Sequence, residues 1–218
     1  MTRLTTLPLV FLGLLTAMAP LGAQTRVLQR IVLDDQFDPF QRTLGRDDRF
    51  GTALASLGDL NGDGAAELAV GAAGDFQNSG AVWIFSLAPN RTISRFVKVG
   101  PREGMPEPLP FLARFGSAVT APGDVDSDGV GDLVVGAPGD SDGLVPPFSG
   151  SGAVWILFMN RNGTVRELVK LSRTRGGFDG KLAAGDQFGS ALAAPGDLDG
   201  NGVPDLVVGA PGDDAGGL

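Results

Sequence analysis

Short apolar runs separated by polar turns fill most of the chain after residue 50. Two of them, Ser79–Phe85 and Ser151–Leu157, are rich in β-branched and aromatic residues. Each is followed by a polar turn and an alternating run, Thr92–Val99 or Thr164–Leu171. Apolar runs of about four to eight residues joined by short polar connections are typical of β-hairpins. The pattern therefore predicts an all-β domain of short antiparallel strands.

Three stretches of the chain align without gaps, namely residues 50–75, 115–140 and 188–213. Each begins with Phe-Gly, runs through an Asp-rich loop and ends with Gly-Ala-Pro-Gly-Asp, except that the first has Ala73 in place of proline. One apolar run leads into the loop, and a second leaves it through Leu68–Val70, Leu133–Val135 or Leu206–Val208. Together with the hairpin, each repeat therefore supplies about four strands.

Four short antiparallel strands repeated in this way are the signature of a propeller blade. The sequence predicts β-propeller-type blades in about three units, whereas a closed ring usually has about four to eight. Arg26–Asp34 resembles the fourth-strand run Val165–Leu171, and the chain stops at Leu218 before a third hairpin. We therefore expect either a fragment of a longer chain or an open, incomplete propeller, which begins with the last strand of one blade.

The composition narrows the chemistry that the chain can perform. Its 34 glycines and 15 prolines favour turns over long helices. It has no cysteine and no histidine, which excludes disulfides, histidine-based triads and most zinc sites. The net charge of −8, without a basic run, argues against binding to nucleic acid. We predict no catalytic residues and no enzyme activity, and we expect cations as partners.

Residues 1–23 have the features of a secretory signal. Arg3 supplies the positive start, Leu7–Met18 the apolar core, and Leu21–Ala23 a small-residue cleavage site. The alternative is a membrane anchor, but about twelve apolar residues fall short of the ~20 that a spanning helix needs. We expect a mature repeat region of residues 24–218 that is secreted or at the cell surface (periplasmic in a bacterium), with no membrane insertion.

A nine-residue acidic loop lies in each repeat, with oxygen side chains at its first, third, fifth and ninth positions. Calcium takes about six to eight oxygen ligands, and alternating Asp and Asn on a tight loop can converge that many. Glycine occupies position six in every loop, as a sharp turn requires, so the carbonyl at position seven can face inward. The predicted ligands are Asp59, Asn61, Asp63, Ala65 and Glu67; Asp124, Asp126, Asp128, Val130 and Asp132; and Asp197, Asp199, Asn201, Val203 and Asp205.

Other interpretations of these loops are an EF-hand, a magnesium site and a polar turn without an ion. An EF-hand needs a bidentate Glu at position twelve, where this chain has Val70, Val135 and Val208. Magnesium prefers a rigid octahedral site with retained water. A metal-free turn remains open for a single loop, but three loops share one register. We predict about three calcium ions, one per loop.

Phe-Gly before the loop and Gly-Ala-Pro after it, as in Phe115-Gly116 and Gly136-Ala137-Pro138, resemble the FG-GAP repeat of the integrin α-subunit head. The resemblance covers about residues 26–218. It implies a β-propeller with calcium in the hairpin loops between the first two strands of its blades, in an extracellular or cell-surface protein. The aromatic residues shared by the repeats are expected in the core between blades: Phe50, Phe115, Phe188, Trp83 and Trp155.

The leading functional hypothesis is an exported calcium-binding module that serves ligand binding, adhesion or scaffolding, with a protein or glycan ligand. The alternatives are the non-catalytic propeller portion of a secreted enzyme and a structural spacer of a larger surface protein. Asn90-Arg91-Thr92 and Asn162-Gly163-Thr164 match the glycosylation sequon. Asp75, Asp140 and Asp213 recur after the Gly-Ala-Pro turns, where a turn-capping role is expected.

Overall fold

The computed structural model describes residues 10–13, 30–33, 44–45, 47–90, 92–142 and 150–214. The chain divides into two units, Met1–Arg46 and Asp47–Leu218. In the first, strand β1 (Val10–Gly13) pairs antiparallel with strand β2 (Arg30–Leu33). The rest of the predicted signal lies outside the described residues. Strand β2 belongs to the segment expected to form the last strand of a blade, and its observed partner is β1.

The second unit begins with a four-stranded antiparallel sheet, the first blade. Its strands, in sheet order, are β3 (Phe50–Gly58), β4 (Glu67–Ala72), β5 (Ala81–Leu87) and β6 (Ile93–Val99). A short helical segment, α1 (Asp75–Asn78), connects β4 to β5. Because Phe76, Gln77 and Asn78 have φ values of 45°, 60° and 61°, this segment is a left-handed turn and not an α-helix.

The second blade repeats this order, and a third sheet follows it. The second blade contains β7 (Ala118–Gly123), β8 (Asp132–Ala137), β9 (Ala153–Met159) and β10 (Val165–Ser172). The third sheet contains β11 (Ala191–Gly196) and β12 (Asp205–Gly209). The predicted blades of four antiparallel strands are confirmed, and the array is an incomplete propeller. None of the described helices is both long enough and apolar enough to cross a bilayer.

Proline stands near the end of the first strand in blades two and three. Pro122 lies in β7 and Pro195 in β11, where the pairing shifts register between Thr120 and Gly123 and between Ala193 and Gly196. Proline cannot donate a ladder hydrogen bond and is tolerated in sheets at such bulges. The bulge ends the pairing and leads the chain into the acidic loop.

The core lies between neighbouring blades, as the aromatic pattern predicts. Strand β7 packs against β3 on one side and β11 on the other. Phe115 and Trp155 are fully buried in the core between blades one and two, and their rings meet edge to face at 6.3 Å. Such aromatic pairs contribute about 0.5–1.5 kcal/mol beyond the area they bury. Phe188 is buried between blades two and three.

Glycines allow successive blades to interlock. The Phe115 N–H donates to the Ser79 carbonyl at 2.9 Å, and the Phe188 N–H donates to the Ser151 carbonyl at 3.0 Å. A Cβ atom on Gly136 would lie 2.0 Å from the next blade's Gly189 carbonyl oxygen. No side chain fits at that distance, so the Gly-Ala-Pro glycine is required by the contact between blades.

An ion pair lies at the end of each complete blade away from the acidic loop, partly buried between Lys98 and Asp75 in blade one and buried between Lys170 and Asp140 in blade two. In blade two, the Lys170 ammonium is 3.0 Å from Asp140 Oδ1 and 5.2 Å from the centre of the Trp155 ring. Asp140 Oδ1 also accepts the Asp142 N–H at 2.7 Å, which is the expected turn-capping bond. Asp140 therefore has two roles: it caps the turn, and it neutralises Lys170, which lies over the Trp155 ring.

Candidate metal centre

The three acidic loops connect the first and second strands of their blades, as predicted. The position-six glycines have positive φ values: 86° at Gly64, 81° at Gly129 and 88° at Gly202. Position four is also left-handed, with φ values of 81° at Gly62, 64° at Ser127 and 78° at Gly200. The spacing of the acidic residues does not reveal this second turn position, although glycine in two of the three loops is a signal for it. Ser127 is the strained member, because serine lacks glycine's freedom at positive φ.

The aspartate at position one holds each loop in its curled shape. Asp59 Oδ1 accepts the N–H groups of Gly62 at 2.7 Å and Asp63 at 3.0 Å, and Asp59 Oδ2 accepts the Gly64 N–H at 2.9 Å. Asp197 receives the same three bonds in the third loop, and the Gly202 N–H lowers the pKa of Asp197 most. Each of these two carboxylates therefore closes its loop through three backbone hydrogen bonds.

The side chain at position five of each loop accepts a further backbone bond. The Ala65 N–H donates to Asp63 Oδ1, the Val130 N–H to Asp128 Oδ1 and the Val203 N–H to Asn201 Oδ1, at 2.7–2.8 Å. An ionised carboxylate has about four acceptor directions on two oxygens. Asp63 and Asp128 therefore keep accepting capacity for a cation while they shape the loop.

The acid at position nine ties the loop to the strand that follows. It accepts an N–H from position two in every blade, from Leu60 to Glu67 at 2.7 Å, from Val125 to Asp132 at 2.9 Å and from Leu198 to Asp205 at 2.6 Å. Glu67 and Asp132 are buried. Burial raises the pKa of both carboxyls, and nearby aspartates of the same loops raise it further. Burial and the neighbouring negative charges thus disfavour the ionised forms of Glu67 and Asp132, while the backbone N–H bonds favour them.

Two of the loops bring three carboxylates together. Oxygens of Asp124, Asp126 and Asp128 lie within 4.8 Å of one another, and so do oxygens of Asp197, Asp199 and Asp205. In the first loop the position-three amide joins the position-nine acid, since Asn61 Nδ2 donates to Glu67 Oε1 at 2.7 Å. The structure thus brings three of the predicted carboxylates together in loops two and three, and it joins two of the predicted side chains in loop one.

Two arginines contact the second loop. The sequence pattern did not predict these contacts. Arg166, on β10, forms a hydrogen-bonded ion pair with Asp126 and lies 3.1 Å from Asp128 Oδ2. The Asp126 contact raises the pKa of Arg166. Arg161 reaches the Gly129 carbonyl at 3.5 Å. The aligned position to Arg166 in blade one is Ser94, so the most acidic loop is also the one with a built-in counter-ion.

Comparison with known proteins places these repeats in a family. A model of the FG-GAP repeat matches residues 50–85, 115–157 and 188–218, about half of the chain. Integrin alpha-PS5 of Drosophila melanogaster is 37% identical over 72% of this chain. Human integrin alpha-IIb is 33% identical over 82%, and mouse integrin alpha-7 is 32% identical over 88%. The chain spans only 14–16% of the length of these relatives. It belongs to the FG-GAP repeat family.

Proposed function

We propose that this chain is an exported β-propeller module whose acidic loops bind calcium and whose blades bind a protein or glycan ligand in adhesion. The observation that carries the proposal is the convergence of three carboxylates in loops two and three. The integrin relatives support the adhesive part of the proposal, and the signal-like residues 1–23 support export.

The donor set favours calcium over smaller or softer ions. In the third loop, Asp197, Asp199, Asn201 and Asp205 would supply side-chain oxygens and Val203 its carbonyl. Calcium accepts such sets of about six to eight oxygens in flexible geometry, whereas magnesium demands a near-octahedral site at shorter distances. Backbone turns bring the oxygen atoms of each loop together. A site of this kind suits calcium, which is larger than magnesium.

Calcium would stabilise the fold because two of its loops are anchored in the core. Leu60, at position two of the first loop, and Val130, at position seven of the second, are both buried in the core between blades one and two. An ion that fixes these loops also fixes the packing beneath them. In the third loop the corresponding Leu198 and Val203 are exposed, so the coupling between ion and core is weakest there.

Calcium should therefore raise the melting temperature more than magnesium does. At about 100 times the dissociation constant, one filled site adds ~2.7 kcal/mol to the free energy of unfolding, equivalent to roughly 5–10 °C for a domain of this size. Differential scanning fluorimetry of the chelated protein, titrated with each ion at equal concentration, measures the difference. Equal shifts with both ions would rule out calcium specificity, and no shift with either would rule out metal binding.

Replacing Arg166 by serine should tighten calcium binding at the second loop. The guanidinium contacts Asp126 and Asp128, so the ion must displace it, and a partly exposed pair of this kind is worth roughly threefold in affinity. Isothermal titration calorimetry gives the affinity of each class of site. Serine is the residue that blade one has at this position, so the substitution is compatible with the strand.

The control is Arg95→Ser, which removes a cation from β6 at the position after Ser94. Its effect on calcium affinity should be smaller, because no described contact joins Arg95 to an acidic loop. An Arg166→Ser protein with unchanged or weaker calcium binding would show that the guanidinium does not compete with the ion.

A further inference from the structure

The ammonium group of Lys170 lies between two buried carboxylates in blade two. Its Nζ is 3.0 Å from Asp140 Oδ1 and 3.1 Å from Asp142 Oδ1. Only 6% of the Lys170 side chain is exposed, and the side chains of Asp140 and Asp142 are 0% and 3% exposed. This buried triad holds two negative charges and one positive charge, and charges removed from water in this way are costly.

The Trp155 ring covers part of the buried triad. The Lys170 ammonium lies 5.2 Å from the centre of this ring, and Trp155 is 1% exposed. Trp155 belongs to β9, which lies between β8 and β10 in the sheet. The contact from Lys170 to Asp140 therefore crosses β9 and joins β10 to the turn after β8. An amine and a carboxyl group held together in a site that excludes water are placed to condense.

The two oxygens of Asp140 have different surroundings. Oδ1 accepts the Asp142 N–H at 2.7 Å in addition to its contact with Lys170. Oδ2 is buried and accepts no hydrogen bond from the part of the chain that the structure describes. A backbone donor at one carboxyl oxygen stabilises the negative charge that develops there when a nucleophile adds to the carbon. Asp140 is therefore arranged as an electrophile, with Oδ2 as the oxygen that can leave.

Asp142 is placed to act as a base toward Lys170. Its φ of 50° is left-handed, and its Oδ2 accepts both the N–H of Thr174, at 2.9 Å, and the Thr174 hydroxyl. These bonds leave Oδ1 facing the Lys170 ammonium. A lysine amine becomes a nucleophile once an adjacent base has taken its proton, and Asp142 is the second carboxylate within reach of Nζ.

We propose that Lys170 and Asp140 condense to an intramolecular isopeptide bond, with Asp142 as the base. After Lys170 gives a proton to Asp142, the lone pair of Nζ forms a bond to Cγ of Asp140. The bond from Cγ to Oδ2 then breaks with its electron pair, and Oδ2 leaves as water with the two protons that the ammonium has lost. One ammonium and one carboxylate become one amide and one water, and Asp142 is regenerated. The reaction needs no further reactant and does not depend on calcium.

Blade one contains the same ion pair without the second carboxylate. Lys98 Nζ is 2.7 Å from Asp75 Oδ2 and 5.3 Å from the centre of the Trp83 ring. The residue two positions after Asp75 is Gln77, and an amide does not act as a base as a carboxylate does. Within the described part of the chain, Lys98 forms an ion pair with Asp75 alone. We therefore expect one isopeptide bond per chain, in blade two.

Intact-mass spectrometry of the full chain in denaturant tests the bond. Lys98→Arg and Lys170→Arg proteins have the same composition, so signal removal affects both masses equally. Arginine keeps the cation beside its carboxylates, but its guanidinium stays protonated and does not form the amide. The Lys170→Arg protein should therefore be heavier than the Lys98→Arg protein by about 18 Da, the mass of one water. The unsubstituted chain should show the same deficit from its own calculated mass.

Peptide mapping identifies the atoms that are joined. Trypsin cleaves after lysines with a free amine, so it should not cleave after Lys170, and the fragments that contain Asp140 and Lys170 should form one cross-linked species. Asp142→Asn should slow bond formation by at least about 100-fold, because the base is lost. The newly purified Asp142→Asn protein should therefore have close to its full mass.

Three results would overturn the proposal. The first is an equal mass for the Lys98→Arg and Lys170→Arg proteins, and the second is normal tryptic cleavage after Lys170 in the unsubstituted chain. The third is a deficit that mild base removes, because a succinimide at the Asp142-Gly143 sequence would open under that treatment and an amide would not. An Asp142→Asn protein that forms the bond as fast as the parent would contradict the role of Asp142 as the base.

Discussion

Gly136→Ala is expected to lower the free energy of unfolding by about 3 kcal/mol, the upper part of the range for overpacking a core. The added Cβ would lie 2.0 Å from the Gly189 carbonyl oxygen, which belongs to the backbone of the next blade. Because that backbone is fixed by the hydrogen bond from Phe188 to Ser151, it cannot move away without separating the two blades. Urea denaturation followed by tryptophan fluorescence measures the loss.

The same substitution at the aligned position of blade three is the matched control. The nearest atom to a Cβ on Gly209 would be the Cβ of Ala191 at 3.2 Å, and the backbone atoms of Ala191 would lie at ordinary contact distances of 3.6 and 3.8 Å; Ala191 is exposed. Since alanine also restricts the unfolded chain, Gly209→Ala should change stability by less than about 1 kcal/mol. Equal losses in the two variants would show that the glycine is needed within its own strand and not for the contact between blades.

The difference between these two glycines shows what the sequence could and could not predict. Strands such as β4 and β8 were predictable because local runs of apolar residues specify them. The close approach of Gly189 to Gly136 depends on how one blade stacks on the next. Gly136 and Gly209 occupy the same position of the repeat, so the sequence does not distinguish them. Local pattern therefore predicts the blade and its aromatic core residues, whereas the close backbone contacts between blades come only from the structure.

The acidic loops likewise have some features that the sequence predicts and others that only the structure reveals. Their acidic register and turn glycine follow from one short stretch, and the structure brings three of the acids together in loops two and three. Arg166 could not be found this way, because it lies 40 residues after Asp126 and reaches it only through the pairing of strands. The position-nine acids also have a structural role that their spacing did not reveal, since Asp132 accepts the N–H of Met159 at 3.1 Å.

Asp128→Ala should remove calcium from the second loop alone. Asp128 supplies one predicted ligand oxygen, and its Oδ1 also accepts the Val130 N–H at 2.8 Å, which orients the peptide unit before the carbonyl at position seven. The substitution therefore removes one ligand directly and loosens another, so affinity at this site should fall by at least about 100-fold. Calorimetric stoichiometry should drop by about one ion per chain.

The loss should stay local because each blade contacts mainly its neighbours, and the loops that begin at Asp59 and Asp197 build their curled shape from their own backbone bonds. Their ions should remain, with part of the calcium-dependent stabilisation. Asp179→Ala, which removes an exposed carboxylate outside the loops, should leave the stoichiometry unchanged. Unaltered calcium binding by Asp128→Ala would contradict the ligand assignment in all three loops, because it depends on one shared register.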